Sequence, residues 1–228
     1  MADYELDWDR DGGSWPLRES SRFVDAGGLR WHVQQLGVGP ALLLIHGTGS
    51  SAHSWHRLAP LLAQRWSVTA FDLPGHGFTR GAPALGMSLD GMSGAVGALL
   101  QALALSPQLV IGHSAGAAIA VRMALDRQFS PRMLISLNGA LLPFDRRHEL
   151  MFAPLARLLA SLPFTPRVFA WRARDRGAVE RLIASTGSRL DRADVDRYWR
   201  LVRSPGHIAG VLRMMAQWKL DSLQRQLP

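Results

Sequence analysis

The chain has 228 residues, 47% of them hydrophobic, enough for one large α/β domain with a well-filled core or for two small ones. It has no cysteine, which excludes disulfides, a thiol nucleophile and thiolate-held metals. The net charge is +8, and its 26 basic residues are all arginine except Lys219, a balance that admits anionic ligands or surfaces as partners.

Residues 1–20 are polar, contain Gly12-Gly13 and Trp15-Pro16, and are expected to form a loosely ordered lead-in. Their start is acidic and shows no apolar stretch of the secretory type. Residues 22–25 and 29–36 are rich in strand formers around Ala26-Gly27-Gly28, which predicts a hairpin. The unbroken apolar run over 41–45 predicts a strand buried on both faces. His46-Gly47-Thr48-Gly49 ends it, and apolar spacing through Trp55, Leu58, Leu61 and Leu62 predicts a helix over 54–64. A strand over 67–71 then runs into Asp72-Leu73-Pro74-Gly75-His76-Gly77, a turn-rich loop. Residues 88–105 read as a helix with Ser88 as its N-cap.

The next stretch, Leu109 to Ala120, organises the chain. A short apolar strand (109–111) is followed by Gly112-His113-Ser114-Ala115-Gly116, and then by an Ala-rich helical pattern to about residue 125. Gly-x-Ser-x-Gly between strand and helix is the context of a nucleophile held on a sharp turn. Such a turn strains the backbone, and side chains two residues either side would collide, hence Gly112 and Gly116. The helix N-terminus beside Ser114 favours negative charge. The backbone N–H groups of Thr48 and Ala115 are the candidate oxyanion donors, with Gly47 keeping the first loop close. A competing pattern, Gly47-Thr48-Gly49-Ser50-Ser51-Ala52 with Asp72 some 20 residues on, matches a dinucleotide fingerprint. The hairpin before it and the unexplained glycines around Ser114 weigh against that reading.

A strand over 133–137 ends at Asn138-Gly139. An antiparallel start followed by β–α alternation predicts a mostly parallel sheet with helices on both faces over residues 21–140. Residues 141–228 show no convincing strand and read as short helices over 151–160, 178–185, 195–202 and 207–218, punctuated by Pro143, Pro154, Pro163, Pro166 and Pro205. Between Arg146 and Arg203 the arginines outnumber the acids two to one, but many stand at helical spacing beside acids. Without interleaved aromatics this reads as a solvated helix face rather than a nucleic-acid surface. No apolar run reaches the roughly 20 residues of a spanning helix, and the expected location is the cytoplasm.

His46-Gly47, Asp72 to Gly77 and Gly112 to Gly116, in this order and spacing, resemble the α/β-hydrolase superfamily over residues 22 to about 140. A narrower resemblance runs through 47–55, 113–120, 136–144, 169–175, 178–191 and 214–218. Those stretches are similar to the BchO-type magnesium chelatase accessory proteins of bacteriochlorophyll biosynthesis. The resemblance implies an α/β-hydrolase core with a helical cap over residues 141–228. It also implies a role beside magnesium insertion into protoporphyrin IX, with chelatase subunits and a porphyrin as candidate partners. In that superfamily an acid and then a histidine follow the serine, normally beyond the cap. The expectation is therefore that the chain is C-terminally truncated at Pro228 and holds neither.

Of the later histidines, His148 reads as a surface residue and His207 as partly buried in a cap helix. His46 and His113 read as packing residues in glycine turns. Without a base Ser114 is a weakly nucleophilic alcohol. Two alternatives stay open: a non-catalytic tetrapyrrole-binding protein whose arginines meet propionates, or a general carboxylic-ester or C–C bond hydrolase. No His, Asp and Glu cluster has metal-ligand spacing, and no metal or cofactor is expected. Lost strands and helices beyond Pro228 would leave the 133–137 strand as an apolar edge, which predicts instability or self-association.

Overall fold

A computed structural model describes residues 4–142, 158–159, 162 and 164–227. A six-stranded sheet runs β1-β2-β4-β3-β5-β6. The predicted hairpin forms from β1 (Ser21–Ala26) and β2 (Leu29–Leu36), paired antiparallel, and β2 pairs antiparallel with β4 (Ser67–Phe71). From there the sheet is parallel: β4 with β3 (Ala41–Ile45), β3 with β5 (Leu109–His113), and β5 with β6 (Met133–Leu137).

The central strands are largely apolar because both faces are covered. Leu42, Leu44, Val68, Ala70, Leu109 and Ile111 pack on one side against Ala52, Trp55 and Ala59. On the other side Leu43, Ile45, Phe71 and Val110 meet Met92, Val96 and Leu99 of one helix and Ile119 and Met123 of another. Helix α1 is Trp8–Asp11, α2 is Leu58–Leu62, α3 is Leu89–Ala102 and α4 is Ala115–Leu125. Ser88 caps α3 by accepting the Gly91 N–H at 3.1 Å, as its position predicts.

The single helix expected over 54–64 is instead a 3₁₀ turn at Ala52–Trp55 followed by the short α2. Pro60 is the reason. It has no N–H for the His56 carbonyl and its ring would strike that carbonyl, so the helix can only restart with Pro60 in its first turn.

Beyond β6 the described residues are helical: α5 (Thr165–Arg172), α6 (Arg176–Ser185), α7 (Arg192–Val202), α8 (Pro205–Gln217) and α9 (Asp221–Gln224). Apart from Leu158 and Leu159, the helix expected over 151–160 lies outside the described residues, as does His148. Helix α5 was not legible in the sequence because its apolar residues point outward, while Thr165 and Ala170 face the protein.

The lead-in expected over 1–20 is, in its described part, tied down. Leu6 and Trp15 are buried with Phe78 and Leu201 in a cluster of their own. Glu5 accepts from the Gly206 N–H at 2.8 Å and from Ser204 Oγ, and Arg200 donates to Ser14 Oγ at 2.7 Å. Two buried apolar anchors, one of them aromatic, and these cross-links hold a segment that composition alone marks as loose.

Candidate functional site

Register brings the two glycine loops together. Ile45 of β3 lies opposite Gly112 of β5, so His46-Gly47-Thr48 and His113-Ser114-Ala115 leave neighbouring parallel strands side by side. The approach is close enough to demand glycine: a Cβ on Gly47 would stand 2.9 Å from the Ser114 Cβ.

Ser114 sits between β5 and α4 with φ 51° and ψ −117°, a conformation that costs a non-glycine residue about 1–3 kcal/mol and persists only where the surroundings hold it. Here they do. The Ser114 N–H donates to the Leu137 carbonyl at 3.1 Å, while its own carbonyl accepts from the N–H groups of Ala117 (3.1 Å) and Ala140 (3.0 Å). The two motif glycines have different jobs. A Cβ on Gly112 would strike the α4 backbone at Ala117, 2.5 Å away, and one on Gly116 would lie 2.2 Å from the Ile45 carbonyl.

The Ser114 side chain is half-buried at the C-terminal end of the sheet, and among the described residues its Oγ has no hydrogen-bond partner. The N–H groups of Thr48 and Ala115 likewise donate to no acceptor among those residues. Thr48 is fixed from above by Met214 of α8, whose sulfur accepts from its hydroxyl at 3.5 Å.

The histidines divide sharply. His46 is fully buried, donating from Nδ1 to the Gly47 carbonyl (2.8 Å) and accepting the Leu73 N–H at Nε2 (2.8 Å). Its ring stands 5.5 Å from that of His76, which is 5.3 Å from His207. Burial pushes His46 and His53 down to about 3 and lowers His76 and His207 as well, so all four are neutral near pH 7. His207, expected to be partly buried, is 3% exposed, because α8 lies directly on the Asp72–Gly77 loop and the Gly77 N–H donates to its Nδ1 at 3.2 Å. His113, expected to pack inside, is exposed at the end of β5, with its Nδ1 beside the Gly47 loop.

Asp72 anchors these loops. Its carboxylate accepts from the Ala52 N–H (2.7 Å), the Phe78 N–H (2.8 Å) and His32 Nδ1 (2.9 Å), all without solvent contact. Burial by itself would raise its pKa. His32 and the donated hydrogen bonds outweigh that and hold the carboxyl well below the usual carboxylate range. With every oxygen engaged inside the protein, Asp72 is unavailable to a ribose, and the dinucleotide reading of Gly47–Ala52 fails. Sequence reasoning did not single out this anchoring role, although Asp72-Leu73-Pro74-Gly75-His76-Gly77 carried the signal. Among the described residues no three His, Asp or Glu side chains come together to hold a metal ion.

A parallel sheet with a leading antiparallel hairpin, and a strained serine on the strand–helix turn after β5, define a class. The chain belongs to the α/β-hydrolase fold family, whose pattern residues 40–221 match. Within it, the chain is 40% identical over 217 residues to the magnesium-chelatase 30 kDa subunit of Rhodobacter capsulatus, covering 94% of this chain and 76% of that protein. It is also 37% identical over 121 residues to a fluoroacetate dehalogenase from Burkholderia sp, which spans 51% of this chain and 40% of the relative. Among solved structures, an alpha/beta hydrolase fold protein from Burkholderia ambifaria superposes with a TM-score of 0.74 at 24% identity, covering 99% of this chain and 77% of that one. The epoxide hydrolase CorEH superposes with a TM-score of 0.72 at 23% identity, over 86% and 72% of the two chains. At those identities the likeness speaks to fold alone.

Proposed function

We propose that this chain carries a serine-nucleophile site centred on Ser114, in a protein that works beside magnesium chelatase. The observation that carries the first half is the pinned, strained Ser114 facing the loop of Gly47 and Thr48. In this reading Ser114 Oγ attacks a substrate carbonyl, its proton passes to a base, and the oxygen that becomes negative is met by the N–H groups of Thr48 and Ala115. The 40% identity to a magnesium-chelatase 30 kDa subunit supports the second half. In this reading the base lies outside the described residues, because none of the seven described histidines is hydrogen-bonded to Ser114, and His32, His46, His53, His56, His76 and His207 are engaged elsewhere.

A second reading, a tetrapyrrole-binding protein without turnover, is supported by a cleft of about 650 Å³ between α6 and α7. Arg189 and Arg192 line it beside Ile183, Leu190 and Val195, which suits an apolar ligand bearing carboxylates, while Arg176 on the same wall is paired with Glu180 and Asp196. One experiment separates the readings. Turnover of a p-nitrophenyl ester by the protein from its native source, lost about a thousandfold in Ser114→Ala, supports the nucleophile. Turnover that survives Ser114→Ala refutes it. Protoporphyrin IX binding without turnover, unchanged in Ser114→Ala and weakened in Arg189→Glu, favours the second reading. Ester turnover with no response to protoporphyrin IX favours a general ester hydrolase.

A further inference from the structure

Helix α5 exposes more large apolar side chain than a helix that only packs on its neighbours requires. Its inward residues are small or polar, Thr165 and Ala170, with Ala173 just beyond. Large apolar side chains stand outward: Val168 is 49% exposed and Trp171 60%, and Phe164, the residue before the helix, is 56% exposed. At about 100° per residue, positions 164, 168 and 171 fall within roughly 60° of one another, forming a single stripe. On the same wheel Arg174, just past the helix end, lies on one side of the stripe and Arg172 on the other, and both are exposed. Residues 164–174 contain three arginines, Arg167, Arg172 and Arg174, and no acid. Phe169 on the same helix, Leu182 on α6 and Met215 on α8 add further exposed apolar surface to this helical region.

Single exposed apolar residues are ordinary, whereas three large ones aligned on one helix face mark a contact surface. The chemistry of the contact is set by what surrounds the stripe. An aromatic and aliphatic ridge bordered by arginines on both sides is the pattern of a helix lying in a lipid interface. There the rings enter the headgroup–acyl boundary and the guanidinium groups meet phosphates. The stripe is a convex ridge, so a protein partner would have to supply a groove, while a bilayer yields to it. The net charge of +8 acts in the same direction over longer range. We propose that the outward face of α5 docks peripherally on an anionic lipid bilayer.

The test is co-sedimentation of the protein with phosphatidylcholine vesicles that contain or lack phosphatidylglycerol. Binding is expected to the anionic vesicles, to weaken in high salt, and to fall about tenfold or more in Val168→Glu and in Trp171→Ala, the size expected for losing one inserted side chain. Both positions are exposed, so unchanged thermal melting of the variants confirms that the fold is intact. Equal behaviour with anionic and neutral vesicles overturns the proposal. So does anionic binding that both variants retain in full, which would be general attraction to a basic protein. Self-association abolished by Val168→Glu, without vesicle binding, would assign the face to a second copy and overturn it equally.

Discussion

Acidification to about pH 5.5 should destabilise this protein far more than its surface charge suggests, through histidines the fold holds neutral. His46, His53, His76 and His207 are at most 3% exposed, and burial depresses the pKa of each. In the unfolded chain all four return to about 6.5. Above that value both states are neutral and the histidines contribute no pH dependence. As the pH falls through 6.5, the unfolded chain takes up protons that the folded one refuses, so stability falls. The loss continues toward the folded value of about 3 for His46 and His53. Between about pH 7.5 and about pH 5.5 each such histidine costs about 1.4 kcal/mol. His46 and His53 together give about 2.7 kcal/mol, and all four give about 5.4 kcal/mol as the upper figure. Asp72 has the same sign but acts in a lower window. Its depressed pKa contributes stability that is lost only as the pH drops below the unfolded carboxylate value of about 3.9.

Urea unfolding at the two pH values measures this directly. The expected result is a lower midpoint at pH 5.5 with an unchanged slope, amounting to roughly 3–5 kcal/mol out of the 5–15 kcal/mol typical of a domain. In His53→Gln the pH slope should diminish by one proton. Its Nδ1 contact to Ser51 Oγ is within reach of an amide, and its Nε2 has no partner to lose among the described residues. Midpoints that differ by less than one histidine's worth, about 1.4 kcal/mol, would refute the claim that these rings are held neutral.

Asp72→Asn should lower stability by about 3–5 kcal/mol, because an amide nitrogen would face one of the buried donors the carboxylate now satisfies. Urea midpoints check it, and a loss under about 1 kcal/mol would mean Asp72 is not the anchor its geometry describes. Two glycines predict opposite results. Gly116→Ala places a Cβ 2.2 Å from the Ile45 carbonyl and should prevent folding to a soluble product, whereas Gly94→Ala, exposed within α3 with nothing inside 4 Å, should raise stability by about 0.5–1 kcal/mol in thermal melts.

The sheet was legible because its parallel strands are short, largely apolar runs closed by turn-forming residues, as at Ala41–Ile45 before His46-Gly47 and Met133–Leu137 before Asn138-Gly139. The nucleophile turn was legible because steric demands write themselves as glycine: Gly47, Gly112 and Gly116 each stand where a Cβ would meet another atom at 2.9 Å or less. What stayed hidden depends on distant partners. Trp15 and Leu6 look like isolated apolar residues in a polar stretch until Phe78 and Leu201 close around them. His207 looks like an ordinary helix residue until α8 lands on the Asp72–Gly77 loop. Helix α5 escaped because an outward apolar stripe reverses the usual relation between periodicity and burial.

The helical region and the nucleophile turn are tied more closely than their separation in sequence suggests, and α8 is the reason. It meets the core backbone to backbone. Gly210 packs so tightly on the Asp72–Gly77 loop that a Cβ there would stand 2.0 Å from the Gly75 carbonyl. One turn along, Met214 is fully buried and its sulfur holds the Thr48 hydroxyl. The loop under α8 begins at Asp72, whose carboxylate also fixes Ala52 at the far end of the segment that contains Thr48. Thr48 is therefore positioned from two sides, by α8 directly and by Asp72 through the loop that α8 covers. Helix α5 packs on α8 with its small inward residues, so the exposed stripe of Phe164, Val168 and Trp171 is one helix removed from the Met214–Thr48 contact. A contact made on that stripe bears on a helix that has little freedom to shift, because a glycine–glycine backbone contact has no flexible side chain to absorb the movement.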